Sequence, residues 1–304
     1  MTSNKREQIN VAFTKGNELM EWGDYLEALD RFLQVYEIDQ SHEENLENLT
    51  YCYYCSGNES QLVKFASRLS SLRTGNPHGE YYLGRFFHEK GRNEDAIPHL
   101  LKAIEFSPND AEMLTLVGRC YMYLNEFEKS LEYHNRAIET DATCAMAYYN
   151  RAKLHYEQSQ LTDAITDLNF AVRYSRDKSQ ARKFLVHVYT VAGDNAKAIE
   201  LANELLKDNS RDLTTLVNRA IVHACNDNMQ AFEDDNQQCI QIATENIKNK
   251  RNLLKSHMWR AFALANLKKI EEATNDIRKV HQLDSNQARL LNERIKRQLD
   301  MDFL

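Results

Sequence analysis

Apolar positions in the segment "EYYLGRFFHEKG" cluster tightly, with Tyr81, Tyr82, Phe86 and Phe87 surrounding a single cation, Arg85. After Gly91 the pattern resumes with Ala96, Leu100 and Ala103 at i, i+4 and i+7, one stripe of a helix. Gly91 stands where the first helix must stop, and Asn93 is placed to cap the second. Gly84 and Ala96 are small enough to let the two helices approach closely. The stretch therefore predicts a helical hairpin.

The hairpin recurs. Steps of 34 residues from Gly84 reach Gly118, Ala152, Val186 and Ala220 forwards, and Thr50 and Gly16 backwards. The same step from Ala96 reaches Ser130, Ala164, Ala198 and Phe232, and Leu62 and Ala28. From Ala103 it reaches Ala137, Ala171, Leu205 and Cys239, and Leu69 and Val35. Seven units keep register; seven further residues then intervene, and an eighth unit begins near Leu254 with Ala261, Ala273 and Val280. Seven residues are about two helical turns, so an insertion near 245–254 lengthens the flanking helices without turning their apolar faces.

A fixed period with small residues at set places is the signature of a stacked array. "YYLGRFFHEKGRNEDAIPHLLKAIEFSPND", closed by Pro108, resembles the tetratricopeptide repeat (TPR) family, as do "FTKGNELMEWGDYLEALDRF" and "AYYNRAKLHYEQSQLTDAITDL". The resemblance covers about residues 9–285; unit two departs from it at Thr50 and Leu62, and unit seven at Phe232. It implies an all-α, right-handed superhelical solenoid of about eight helix-turn-helix repeats over 1–285, each repeat covering its neighbour's apolar face. Residues 286–304 carry Leu291, Ile295 and Leu299 on one stripe and read as a C-terminal capping helix. Pro98, a few residues into its helix, forfeits about one backbone bond.

In this family the first helix of each repeat lines a concave groove, and the residue after the small position turns toward it. Here those residues are Asn17, Tyr51, Arg85, Arg119, Lys153, His187, Ile221 and Phe262. Three successive cations form a ladder that suits an acidic, extended peptide. Tyr54, Tyr81, Tyr82, Tyr123, Tyr149, Tyr156, Phe184 and Trp259 add aromatic walls, and Asn48, Asn150 and Asn218 share one position from which an amide can hold a peptide backbone. A competing reading pairs Arg85 with Glu89 and Lys153 with Glu157 along their own helices, for ~0.2–0.5 kcal/mol each. Arg119 lacks such an acid and is placed to stack on Tyr123.

The family's carboxylate clamp, which grips chaperone tails, is matched only in part. Asn17 and Asn48 fit in the first units, but Phe13, His78 and Tyr82 stand where cations belong; later units supply Lys183, Asn218 and Lys255, with His187 and Trp259 in the other places.

Composition narrows the alternatives. Three Pro and nine Gly in 304 residues, with 42% hydrophobic residues, favour a continuous helical core. A net charge of −7 argues against general nucleic-acid binding, which needs excess cations. The polar start "MTSNKREQIN", six scattered Cys and no apolar run near the roughly 18 residues of a membrane span predict a cytoplasmic protein with free thiols. Cys52 and Cys55 form C-x-x-C without a second pair or a βαβ setting, so neither zinc nor redox chemistry is expected. His88, His155 and His223 fall at inner positions, and no nucleotide loop or catalytic constellation stands out, so neither a metal, a cofactor nor an enzyme activity is expected. One basic cluster, Lys248, Lys250, Arg251, Lys255 and Arg260, marks the inserted junction; it suits an acidic partner, phosphate groups or a membrane surface, but reads first as a solvated extension of a long helix pair. The expected role is a non-enzymatic adaptor or scaffold holding a partner peptide. The alternatives are a co-chaperone with a variant clamp and a structural subunit that touches its neighbours by the convex face, the edges or the tip around Phe303.

Overall fold

The computed structural model describes residues 2–72 and 75–301, the side chains of 297–301 excepted. The Leu299 side chain and Phe303 therefore lie outside the described residues. Among the described residues the chain forms seventeen helices and no strand, in two compact units, Met1–Leu154 and His155–Leu304.

The first unit stacks α1 (Ser3–Glu21) on α2 (Tyr25–Ile38), α3 (Glu43–Ser56) on α4 (Glu59–Ser70), α5 (His78–Glu89) on α6 (Asn93–Phe106) and α7 (Ala111–Tyr123) on α8 (Phe127–Thr140). The first residues of α9 (Ala145–Glu157) complete it. Phe32, Leu46, Leu49, Phe65, Leu100 and Leu114 are fully buried in one continuous core. The second unit holds the end of α9, α10 (Leu161–Tyr174), α11 (Ser179–Val191), α12 (Asn195–Asp208), α13 (Leu213–Cys225), α14 (Met229–Lys248), α15 (Leu253–Asn266), α16 (Ile270–Leu283) and α17 (Ser285–Met301). First helices also touch one another, α3 with α5 and α5 with α7 in the first unit, and α11 with α13 and α13 with α15 in the second.

Every position reached by the three 34-residue series is buried. The close approach is real: a Cβ on Gly84 would lie 2.5 Å from Leu100 Cγ, and one on Gly16 would lie 2.5 Å from the Phe32 ring. Helix starts are fixed by side chains of His42, Asn58, Asp110, Asp194, Asp212 and Asn228, each accepting a hydrogen bond from a backbone N–H in the first turn. Asn93 does not play this part. Arg92 occupies the cap position, and the Asn93 amide oxygen is instead 2.6 Å from His88 Nδ1.

Helix ends share another device. Gly23, Gly57, Gly91, Asn125, Ser159, Gly193 and Asp227 have positive φ, each 34 residues after the last, and Lys268 follows after the insertion. Each left-handed residue reverses the chain between the two helices of a repeat. The insertion itself falls into α14, which has 20 residues where α12 and α16 have 14; α15 is not lengthened.

Two arginines in the second unit tie neighbouring helices together. Arg219 on α13 donates two hydrogen bonds to Asp235 on α14, at 2.6 and 2.9 Å, and one to Asn203 on α12 at 2.7 Å. Arg260 on α15 repeats the arrangement, with both bonds to Asp276 on α16 at 2.7 Å and one to Thr244 on α14 at 3.0 Å. Arg260 thus belongs to the packing and not to the surface basic cluster. Lys248, Lys250, Arg251 and Lys255 are solvent-exposed or nearly so around the end of α14.

Candidate functional site: the first-helix face

In the first unit the face made by successive first helices is cross-linked from repeat to repeat. Asn48 Nδ2 donates to Asn17 Oδ1 at 2.8 Å, Tyr54 OH to Glu89 at 2.5 Å and Tyr81 OH to Glu112 at 2.6 Å. Tyr51, Tyr54 and Tyr82 form one ring cluster with centroids 5.4–6.2 Å apart. Burial of Tyr82, together with nearby carboxylates, pushes its phenol up to about 12, so it stays neutral.

Arg85 lies inside this cluster. Its Nε is 3.3 Å from Glu89, its Nη1 is 3.4 Å from the Tyr81 hydroxyl and 3.9 Å from Glu112, and its guanidinium lies 5.2 Å from the centre of the Tyr54 ring. The competing intrahelical reading is present at Arg85, and a second acid from the next repeat adds to it. Burial opposes the charge there, but tyrosines and carboxylates outweigh it and raise the Arg85 pKa.

Arg119 is half-buried on the same face and has no hydrogen bond, ion pair or ring contact among the described residues. Tyr123 turns to His88, ring centres 5.5 Å apart, and does not receive Arg119. Arg119, Arg151 and Lys153 all act on one buried neighbour, His134, whose pKa falls to about 3 through burial first and these charges next. Tyr149 is half-buried, and burial raises its pKa. Asn150 is buried with no hydrogen-bond partner for its Nδ2.

In the second unit, Lys183 donates to Asp212 at 2.6 Å, the same carboxylate that caps α13. His187 Nε2 is 2.8 Å from Tyr156 OH, and Phe184 packs on both rings. Burial first, and the charge of Arg294 next, lower the His187 pKa to about 4, so this imidazole is neutral near pH 7. Asn218 is buried with its Oδ1 unpartnered, Ile221 is half-buried and Lys255 is exposed. Phe262, expected at the groove surface, is buried at 1% exposure because it belongs to the core that α17 closes with Ala288, Leu291 and Ile295, and Arg294 lies over its ring at 4.8 Å. Sequence reasoning missed Arg294, which lies in the segment assigned to capping.

Of the clamp-like residues in the first unit, Phe13 packs on Phe32 and His42, His78 contacts Glu47 at 2.5 Å, and Tyr82 stacks on Tyr54. Cys52 is buried and Cys55 exposed on one helix, and burial lifts the Cys52 thiol to about 12, far from a reactive thiolate. No group of three or more metal-ligating side chains gathers among the described residues, and no helix there is long and apolar enough to cross a membrane.

The architecture is that of stacked helical hairpins with a first-helix lining. Models of the tetratricopeptide repeat match residues 81–110, 118–173 and 149–214. Over these residues the chain carries tetratricopeptide repeats. It is 31% identical over 101 residues to anaphase-promoting complex subunit 3 of Schizosaccharomyces pombe, covering 33% of this chain and 15% of that protein. It is 30% identical over 123 residues to the BBSome complex member BBS4 of Bos taurus, covering 40% of this chain and 23% of that one. The matched part is thus less than a quarter of either relative. Among solved structures, PilF of Pseudomonas aeruginosa superposes with a TM-score of 0.60 at 15% identity, over 70% of this chain and 97% of the other. A tetratricopeptide repeat protein of Parabacteroides merdae gives 0.59 at 14% identity, over 76% and 92%. At such identities the likeness concerns the fold alone.

Proposed function

We propose that this protein is a non-enzymatic adaptor or scaffold that holds a segment of a protein partner on its first-helix face. The observation that carries the reading is the inter-repeat lining of the first unit. Asn17 with Asn48, Tyr54 with Glu89, and Tyr81 with Glu112 join side chains of successive first helices into one preorganised surface. Preorganised side chains lose less entropy when a partner binds. Tyrosines offer broad contact area with few rotamers to freeze.

Acidity of the bound segment is the finer part of the proposal. Arg85 already faces Glu89 and Glu112, so in the first unit recognition of an acid rests chiefly on Arg119, with Lys153 at the equivalent position one repeat on. The test is affinity capture with mass spectrometry, wild type beside Arg119→Glu and Lys153→Glu. Loss of a specific partner in the charge-reversed proteins supports the reading. A partner set unchanged by every first-helix substitution defeats it.

A second reading, a structural subunit of a larger assembly, is favoured by a different observation. Val11, Trp22 and Leu26 on the first hairpin are 67%, 84% and 72% exposed, apolar surface suited to another protein. The two relatives named above are, by their names, members of complexes. Trp22→Glu with Leu26→Glu should release such an assembly while leaving first-helix capture intact.

A further inference from the structure

Helix α17 follows α16 with only Asp284 between them, and Asp284 accepts a hydrogen bond from Gln287 N–H at 3.0 Å. Ala288, Leu291 and Ile295 bury one stripe of α17 against the core that includes Phe262, Ala273 and Val280. That docking fixes which side of α17 faces the first helices. Arg294 stands beside the buried stripe, and its guanidinium lies 4.8 Å from the Phe262 ring centre and 5.4 Å from that of Trp259. The two rings meet edge to face at 6.1 Å.

Among the described residues no carboxylate meets this cation. Arg294 has neither an ion pair nor a hydrogen bond among the described residues, whereas Arg219 and Arg260 in the same unit each hold a bidentate aspartate. Its charge is felt by His187 on α11 and by Tyr156 at the end of α9. Those two are hydrogen-bonded to each other. Protein surrounds the guanidinium closely enough for desolvation to lower its pKa, yet the residue remains solvent-exposed. A cation half-desolvated over aromatic rings, open to solvent and without an acid, is arranged for an incoming anion. A carboxylate suits the planar fork, which can donate two parallel hydrogen bonds to it.

We propose that the first-helix face of the second unit reads an acidic side chain of a bound partner segment through Arg294, while Trp259, Phe184 and Tyr156 take apolar residues that flank the acid. This rests on the segment-holding role proposed above and adds to it, in the second unit, an acid-reading centre at a residue outside the repeats. A peptide carboxylate, not a free phosphate, is the occupant because Trp259 lies under the cation, and the packed rings of Tyr156, Phe184 and His187, two of them within reach of its charge, need apolar neighbours of the anion to cover them.

The test is selection of a random dodecapeptide phage library against the full chain, in parallel with Arg294→Gln. Circular dichroism and thermal melting first establish that the variant keeps its fold. Wild type should enrich peptides with Asp or Glu next to apolar residues, and Arg294→Gln should lose that enrichment. A synthetic copy of the leading peptide, followed by fluorescence anisotropy, should bind Arg294→Gln about tenfold more weakly. Arg294→Lys should fall between, since it keeps the charge but not the fork. Replacing the peptide's acid by its amide should cost wild type the same factor and Arg294→Gln nothing more. Equal selection of acidic peptides by both proteins, or enrichment of basic ones, overturns the inference. Acid enrichment lost in Arg119→Glu but kept in Arg294→Gln overturns it too, and leaves the segment-holding role standing. Failure of wild type to enrich any peptide removes both.

Discussion

The imidazole of His134 occupies the space in which a side chain on residue 118 would lie: a Cβ built on Gly118 would be 2.6 Å from His134 Cε1. Ser130 closes the same contact by donating to the Gly118 carbonyl at 2.7 Å. Neither ring nitrogen of His134 has a hydrogen-bond partner, so the imidazole serves here as a buried apolar plate. Gly118→Ala must push this ring aside and should cost ~1–3 kcal/mol, read as a lower urea midpoint. Gly84→Ala should do likewise through Leu100, a Cγ contact at 2.5 Å.

Buried His134 also sets a pH dependence. Its folded pKa, about 3, lies below the 6.5 of an ordinary imidazole, so the unfolded chain takes up a proton that the folded one refuses. Stability should decline as pH drops below 6.5, by up to ~1.4 kcal/mol per unit, until about pH 3. Glu80 adds a second window. Burial would raise its pKa, but His99 and Lys102 at 2.7 and 2.5 Å outweigh that and hold it at about 2. Its contribution is complete above the 4.5 of an ordinary glutamate and disappears as pH falls toward 2. Melting temperatures against pH should flatten between 6.5 and 4.5 in His134→Leu, and below 4.5 in Glu80→Gln.

Half-buried Arg260 and buried Asp276 form a bidentate pair with His257 as a third member, its Nδ1 2.7 Å from Asp276. Asp276→Asn leaves a guanidinium short of its counter-charge and should cost about 3 kcal/mol. Replacing both with Met and Leu should cost less than the single change. Denaturation of the single and paired variants checks this ordering.

Left-handed residues at the repeat turns offer gains. Ser159 and Lys268 have φ of 61° and 58° without glycine's freedom. Ser159→Gly and Lys268→Gly should each stabilise by ~0.5–1 kcal/mol, the relief of strain less the added chain entropy. Asn125, at 59°, tolerates this region and should gain little.

Arg85 and Arg119 sit at one repeat position but should behave differently. Arg85→Gln leaves Glu89 and Glu112 facing each other and should lower stability by about 1 kcal/mol. Arg119→Gln should change stability by less than ~0.5 kcal/mol and weaken capture of an acidic segment. Melting curves and peptide binding on the same preparations separate the two effects.

The packing of the repeat was readable in the chain because burial at a fixed step leaves a compositional trace: all the small and apolar positions of the three series are buried. The turn device was harder to see, since only Gly23, Gly57, Gly91 and Gly193 carry the obvious residue while Ser159, Asp227 and Lys268 adopt the same backbone under tertiary constraint. Arg219 with Asp235 and Arg260 with Asp276 share a spacing of 16 that could have been found by asking which charges recur in register. Glu89 as a partner of Arg85 was legible from helix geometry; Glu112 was not, because it arrives from the next repeat. Asn93 misled, its amide being claimed by His88. Arg294 was out of reach, since its place over Trp259 and Phe262 depends on how α17 docks.

The extra length of α14 has a practical meaning. Hairpins that touch only adjacent ones can let a single rod overhang without disturbing the rest, and the overhang ends in Lys248, Asn249, Lys250 and Arg251, where the chain is exposed. A fluorophore or affinity handle grafted there would report on the protein while standing clear of both the hydrophobic seams and the arginine staples.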